Sequence, residues 1–434
     1  MLARLRGRSL GEILSLVAAA VGAQLLTVVS APLLARMLGP EERGHLAIVM
    51  MATILVGQFC LGGVIPTIAA FTASAGGPAR DVMRGRGRAW VSLSVLGAVL
   101  AVGVVALQAR GSDHYVLLLA ATVLMTTWGF WQAILGAMLR GEGRVRDVNV
   151  FGLLGVATYV FMVVLLFVVH PMRSAALVLL VVVPVRGLSL LYGWRKLRRP
   201  TGDPALRADP AETRAFARRS YVSGINGLNL GLDVLIVGFV LGAVQVGYYA
   251  TAVTVTNVAA LALANVAGML LPRLTAVSGA ARAARLRRWL LVSAALDLLI
   301  TLGLEAVISP VMRILMGPEF IPAIPPARLM ILAWGLLAFR LVLTAGVQAR
   351  GHAGTASSIE LLCAVLLVPA VGGGALLADL EGAVVGLAAV GALSCVLLAL
   401  LLRRPERPVS VPTVTPPVDP DLTAPSEEDT HAAP

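Results

Sequence analysis

SYVSGINGLNLGLDVLIVGFVLGAVQVGYY, residues Ser220 to Tyr249, is a long apolar run that carries Asn226, Asn229 and Asp233 inside it. Their spacing of i, i+3, i+7 puts all three on one face of a helix, so a segment that is otherwise lipid-soluble has a single polar stripe. A carboxylate near the middle of such a span costs roughly 3 kcal/mol or more in hydrocarbon. It is therefore expected to face a bundle interior or an aqueous cavity. The same stretch opens a second half of the chain that echoes the first.

The whole chain has a matching composition. Of 434 residues, 58% are hydrophobic and only 13% charged, far from a soluble globular balance, and the chain reads as an integral membrane protein. A net charge of +12 would suggest nucleic acid in a soluble protein. Here the cations cluster in short loops between apolar runs, where topology and anionic lipid headgroups account for them. Loops this short build no groove for a polyanion, so no nucleic acid is expected as a partner. Cys60, Cys363 and Cys395 lie inside apolar runs with no paired spacing for a disulfide or a metal. No Walker or dinucleotide glycine pattern follows a strand, so neither a metal nor another cofactor is expected.

Residues 1–12 are basic and polar, and the apolar run from Ile13 to Leu38 is too long for a signal-peptide core, so it reads as an uncleaved first span. A window of about 20 residues per membrane helix places further spans at 45–72, 89–109, 115–139, 149–169, 175–194, 220–242, 249–274, 289–308, 327–349, 358–378 and 382–402. The expected organisation is a cytoplasmic N-terminus (1–12), an N-lobe of six spans (13–194), a basic cytoplasmic linker (195–219), a C-lobe of six spans (220–402) and a disordered cytoplasmic tail (403–434) rich in Pro, Thr, Asp and Glu. With the N-terminus inside, 27 of the 35 Arg and Lys residues fall on the inner side, as the positive-inside rule requires.

The halves repeat weakly. Leu38-Gly39, four residues, then Gly44 is matched by Leu241-Gly242, four residues, then Gly247, each at the outer turn between the first two spans of its half. Pro66 and Pro272 then recur near the inner end of the next span. Because both copies start inside and hold six spans, the halves are expected to be parallel repeats about an axis along the membrane normal.

Three stretches resemble a known family: LLARMLGPEERGHLAIVMM after the first span, LDVLIVGFVLGAVQVGYYATA at the seventh, and RILMGPEFIPAIPPARLMIL between the ninth and tenth. They are similar to the polysaccharide biosynthesis or oligosaccharide flippase family of the multidrug/oligosaccharidyl-lipid/polysaccharide exporter superfamily. That superfamily also holds multidrug and toxin extrusion transporters and lipid II flippases. The resemblance covers residues 10–402. It implies an all-α polytopic membrane protein with twelve transmembrane helices in two six-helix lobes, V-shaped around a central cavity, in a bacterial plasma membrane. It also implies a cargo, an undecaprenyl-pyrophosphate-linked oligosaccharide moved from the cytoplasmic to the outer leaflet by alternating access, with a glycan polymerase or glycosyltransferases as neighbours.

Such a cargo sets a physical problem, since a diphosphate and many hydroxyls must cross a layer where bare charge is expensive. Arginine suits a diphosphate, because its planar fork offers paired donors and stays charged. Arg36, Arg186 and Arg340 lie away from the loops. The plainer reading of Arg36 is snorkelling beside Glu41 or Glu42; that of Arg186 and Arg340 is a structural pair with Asp233, Asp297 or Glu305. Arg340, Thr344 and Gln348 share an i, i+4, i+8 path that favours a cavity face. Amides and hydroxyls in the opening spans of both halves, Gln24 and Thr27, Asn226 and Asn229, Thr254, Asn257 and Asn265, read as a cleft lining for sugar hydroxyls, or singly as glue between helices. Asp233 is the first candidate for coupling to a proton or monovalent cation, with a fixed ion pair as the alternative. Asp297, with Thr301 and Glu305, forms a second acidic stripe whose alternative is pairing to an arginine.

Other function classes fit less well. A cation-coupled drug or metabolite antiporter of the same superfamily would favour a cavity of acids and aromatics, and only 5% of the residues are Phe, Trp or Tyr. A membrane glycan polymerase or ligase needs a large outer domain, and the longest outer connection spans only Ser309 to Pro326, so the chain is expected not to be an enzyme. A transport-inactive scaffold for envelope synthesis remains open to the sequence.

Overall fold

The computed structural model describes residues 2–68, 79–169, 172–197, 231–275, 277 and 279–406, and every regular element among them is helical. In chain order these are α1 (Leu2–Leu61), α2 (Ala79–Gln108), α3 (Tyr115–Gly141), α4 (Val145–Val169), α5 (Ala175–Leu197), α6 (Leu232–Leu241), α7 (Ala243–Thr256), α8 (Val258–Thr275), α9 (Gly279–Val311), α10 (Ile324–Ala349) and α11 (Ala353–Leu401). Eight helical stretches among the described residues are long and apolar enough to cross a membrane. Their outer surface carries Val99, Leu299 and Leu377 largely bare, a surface that only hydrocarbon makes favourable.

The two longest runs reverse direction inside themselves. α1 breaks at Gly39, whose φ of 70° and ψ of 178° suit glycine, and Pro40 starts the next helix where its missing N–H is harmless. α11 breaks at Ala378 and Asp379. Its two legs then lie so close that a Cβ on either Gly374 or Gly382 would overlap the other's carbonyl oxygen. Both reversals fall between spans that hydropathy had separated. Gly242 (φ 87°, ψ 178°) divides α6 from α7 with the backbone of Gly39, and Gly317 (φ 103°, ψ 167°) repeats it a third time.

Three expectations need correction. The span expected at 220–242 does not run as a helix through Gly231, which takes φ 99° just before α6; its first part, with Asn226 and Asn229, lies outside the described residues. A Cβ at Gly231 would overlap the Met51 sulfur, so the close approach of α1 also demands glycine there. The eighth span begins at Ala243, not 249, and kinks at Asn257 between α7 and α8. α9 starts at Gly279, so Arg282, Arg285, Arg287 and Arg288 stand on a helix that outruns its apolar part rather than in a loop. The outer connection from Ser309 to Pro326 is ordered: a π-turn (Met312–Met316) and a 3-10 turn (Pro318–Ala323) bury Phe320 edge-on against Tyr248, 6.1 Å between centroids.

Within the first half α1 packs on α4 and α2, and α3 on α5; within the second, α8, α9 and α11 surround α10. The halves meet mainly through α1 and α7, and the contact is reciprocal. A Cβ on Gly44 would overlap the carbonyl of Ala243, and one on Gly247 would overlap that of Pro40. Each copy of the Leu-Gly repeat thus seats its second glycine on the residue after the other's first, the exchange that a two-fold axis produces. Small residues that let backbones touch are the usual means of helix association in lipid.

The opposite end of the bundle is tied by charge. Arg144 bridges Glu142 and Asp147, and Asp147 also meets Lys196 at 3.1 Å and accepts from the Tyr192 hydroxyl. Glu406 lies 3.2 Å from Arg282 and 3.7 Å from Arg350, so the chain is held through residue 406. The bulk of the linker (198–219), the start of span seven with Asn226 and Asn229, and the tail from 407 lie outside the described residues, as do the side chains of Gln24 and Asn265.

Candidate functional site

The first half gathers two guanidinium groups around one phenol. Arg43 stands four residues into the helix that follows Gly39 and is only 7% exposed. Arg186 follows Pro184 in α5. Both interact electrostatically with Tyr159 of α4, which also lies near Ser30 of α1. Arg186 stacks on Trp128 of α3, its Cζ 3.7 Å from the ring centroid and 5.1 Å from that of Tyr159, so the rings face a cation from two sides. Trp128 in turn donates to the carbonyl of Arg186 at 3.2 Å, and Ser189 donates to the same carbonyl at 2.7 Å and stands 2.9 Å from Gln132. These bonds fix Arg186 in place.

What these arginines lack is equally informative. The Nε atoms of Arg43 and Arg186 are buried without a hydrogen-bond partner, and among the described residues no carboxylate stands within ion-pair distance of either. The sequence offers few acids nearby, since no Asp or Glu occurs in 43–80, 82–112, 114–141 or 148–197, and Glu42, next to Arg43 in the chain, turns to His45 and the Ala175 N–H. Arg43 instead reaches Thr254 of α7 at 3.4 Å. A buried donor left open is costly, about 1–3 kcal/mol and more when charged, and two such donors around one phenol offer contacts to an anion with several oxygens.

The other candidates are placed separately. Arg36 donates to the carbonyls of Leu315, at 3.0 Å, and Ile314 at the π-turn, so it fastens the glycine end rather than lining a cavity. Asp233 is buried at the start of α6, at the positive end of that helix, and accepts the Tyr249 hydroxyl at 2.8 Å. No arginine shares its contacts among the described residues. Arg340, also buried, interacts electrostatically with Glu360, Cys363 and Cys395, and Thr344 donates to Glu360 at 3.2 Å. Asp297 lies against Gly335 and Thr301, with its Oδ1 buried and unpartnered. Glu305 faces Arg328 at 4.0 Å, the arginine pairing expected for that stripe. Asn257 is half-buried at the α7–α8 kink, one turn from Thr254.

Arg186, Asp233 and Arg340 are therefore not brought together. What the structure does assemble is a cationic site in the first half and a mixed one of Arg340, Thr344 and Glu360 in the second, with Asp297 apart against Gly335. Arg43, Tyr159, Trp128 and Glu360 escaped the sequence reading. Arg43 falls between the spans expected at 13–38 and 45–72, yet its place after Gly39-Pro40 sets it inside a helix. Glu360 carried the signal of any ionised group at the edge of an apolar run.

No family model and no curated protein matches the sequence. Solved structures do match in fold. An inward-facing multidrug resistance MATE family transporter of the MOP superfamily superposes with a TM-score of 0.69 at 16% identity, covering 88% of this chain and 94% of its own. The lipid II flippase MurJ in an inward closed conformation gives 0.65 at 13% identity, covering 89% and 86%. An outward-facing MATE transporter of the MOP superfamily gives 0.57 at 16% identity, covering 90% and 94%. At these identities the likeness speaks for architecture alone: the chain folds as a two-lobe, all-helical membrane bundle of the MATE-like kind.

Proposed function

We propose that the protein is a flippase that carries a polyprenyl-pyrophosphate-linked oligosaccharide across the plasma membrane, by alternating access and without covalent chemistry. One observation carries the reading. The interior of the first half holds Arg43 and Arg186 with open donors and no acid to neutralise them. A cationic drug would be repelled there, whereas a diphosphate would satisfy both forks. With both termini in the cytoplasm, the end where the glycines of the two halves touch is the outer one. MurJ, a lipid II flippase by name, shares the fold and has a lipid-linked cargo.

The cycle follows from these parts. The diphosphate enters between the lobes from the inner leaflet and neutralises Arg43 and Arg186, while sugar hydroxyls meet amides such as Gln132 and Asn257. Opening the glycine end requires Arg36 to leave the carbonyls of Ile314 and Leu315. Asp233, paired with Tyr249, and Asp297 are the proposed coupling groups, because a proton or monovalent cation on either changes the cost of its burial. A glycan polymerase or glycosyltransferases would supply and consume the cargo.

The second reading is the cation-coupled antiporter, and it rests on the acids of the other half, Asp233, Asp297 and Glu360. The test is direct. Purified protein in vesicles should move a fluorescent polyprenyl-diphosphate sugar between leaflets faster than empty vesicles do. Movement of lipophilic cations instead would replace the flippase with the antiporter.

A further inference from the structure

Beside the arginine site lies a hollow that no charge occupies. A cavity of about 550 Å³ opens between the second leg of α1, α2 and α3, with Trp128 in its wall. Glycines make its space: Gly57 and Gly62 on the α1 side, Gly97 on α2 and Gly129 on α3. A Cβ on Gly57 would meet nothing within 4 Å, and one on Gly129 only the Thr53 methyl at 3.6 Å. Apart from Gln58 and the Thr53–Thr126 hydroxyl pair, the wall is apolar. Its size is that of an ordinary ligand pocket, but it has too few polar groups for a sugar. Such a half-open apolar hollow makes dispersion contacts with any chain that lies in it.

Trp128 joins the two regions. It lies in the wall of the hollow and carries the Arg186 guanidinium stacked on its ring. A molecule with a diphosphate on Arg186 and an apolar chain on the phosphate would therefore have its chain beside the opening. We infer that this glycine-lined hollow is the seat of the proximal isoprene units of the cargo's polyprenyl chain, so that head group and lipid are recognised by adjoining sites. The inference rests on the diphosphate reading of Arg43 and Arg186. It adds that chain length, and not only the head group, sets affinity, because each buried methylene contributes.

The experiment fills the hollow and varies the chain. Full-length Gly57→Leu and Gly129→Leu proteins are titrated in detergent with two probes that share one head group, a long-chain polyprenyl-diphosphate sugar and a counterpart that carries a methyl group in place of the chain. Both variants should bind the long-chain probe about tenfold more weakly, the loss expected from excluding a few buried methylenes, and the methyl probe within about twofold of wild type. Equal losses for both probes, or no loss for either, would overturn the chain site while leaving the head-group reading intact. Failure of the wild-type protein to bind the methyl probe would overturn the head-group reading itself. Should one variant not fold, the other carries the measurement, since the two glycines lie on different helices and meet different neighbours.

Discussion

The two halves of the molecule share a backbone device and differ in charge. Gly39 and Gly242 break their helices with nearly the same dihedral angles, and Gly44 and Gly247 exchange carbonyl contacts across the interface. Yet the first half buries Arg43 and Arg186 with no carboxylate in ion-pair reach among the described residues, while the second sets Arg340 beside Glu360 and isolates Asp233 on Tyr249. On the proposed flippase reading, the shared backbone device would serve a motion of the two lobes on one another, and the difference in charge would serve two tasks, holding an anionic cargo and sensing a cation, that demand opposite fields.

The largest expected effect sharpens that division. Replacing Arg43 and Arg186 together by Ala should weaken binding of a diphosphate head group about a thousandfold, from roughly 2 kcal/mol per charged donor lost, whereas Arg340→Ala should change it less than about tenfold. Titration of purified protein decides, and equal losses would erase the distinction between the halves. Next comes the shared device. Gly44→Ala and Gly247→Ala should each destabilise the protein by about 3 kcal/mol, since a Cβ at either site overlaps a backbone carbonyl that cannot swing away. Thermal unfolding in detergent measures both. A difference beyond about 1 kcal/mol between them would break the reciprocity. The smallest effect tests the sensing half: Asp233→Asn should leave head-group binding intact while lowering flipping about tenfold and removing its dependence on a proton or sodium gradient. Unchanged transport with unchanged ion dependence would strip Asp233 of that role.

Much of the architecture was legible because hydropathy and arginine placement report directly on the membrane. The hairpin at Ala378–Asp379 and the break at Gly39 fall where spans were divided, and the Leu-Gly repeat marked the residues that later proved to touch. Local periodicity does not register tertiary neighbours. Gly231 takes φ 99° just before α6 with the Met51 side chain against it, and no i, i+3, i+7 count in Asn226, Asn229 and Asp233 could show that neighbour. The candidate site was legible in kind and not in grouping. Arginines inside spans were found, but pairing is a long-range property: Arg340 turned to Glu360 rather than to Asp233, and Arg36 to the carbonyls of Ile314 and Leu315. Arg43 was hidden because hydropathy places helix ends only within a few residues.

The exchange of contacts between Gly44 and Gly247 also ties together what the two positions can tolerate. A methyl group admitted at either position would strike the other half's main chain, and no change of side chain on that partner could make room, because the obstacle is a peptide oxygen. Relief would require moving a whole helix. In this crossing neither glycine is free to change alone, even though the charges around the two differ.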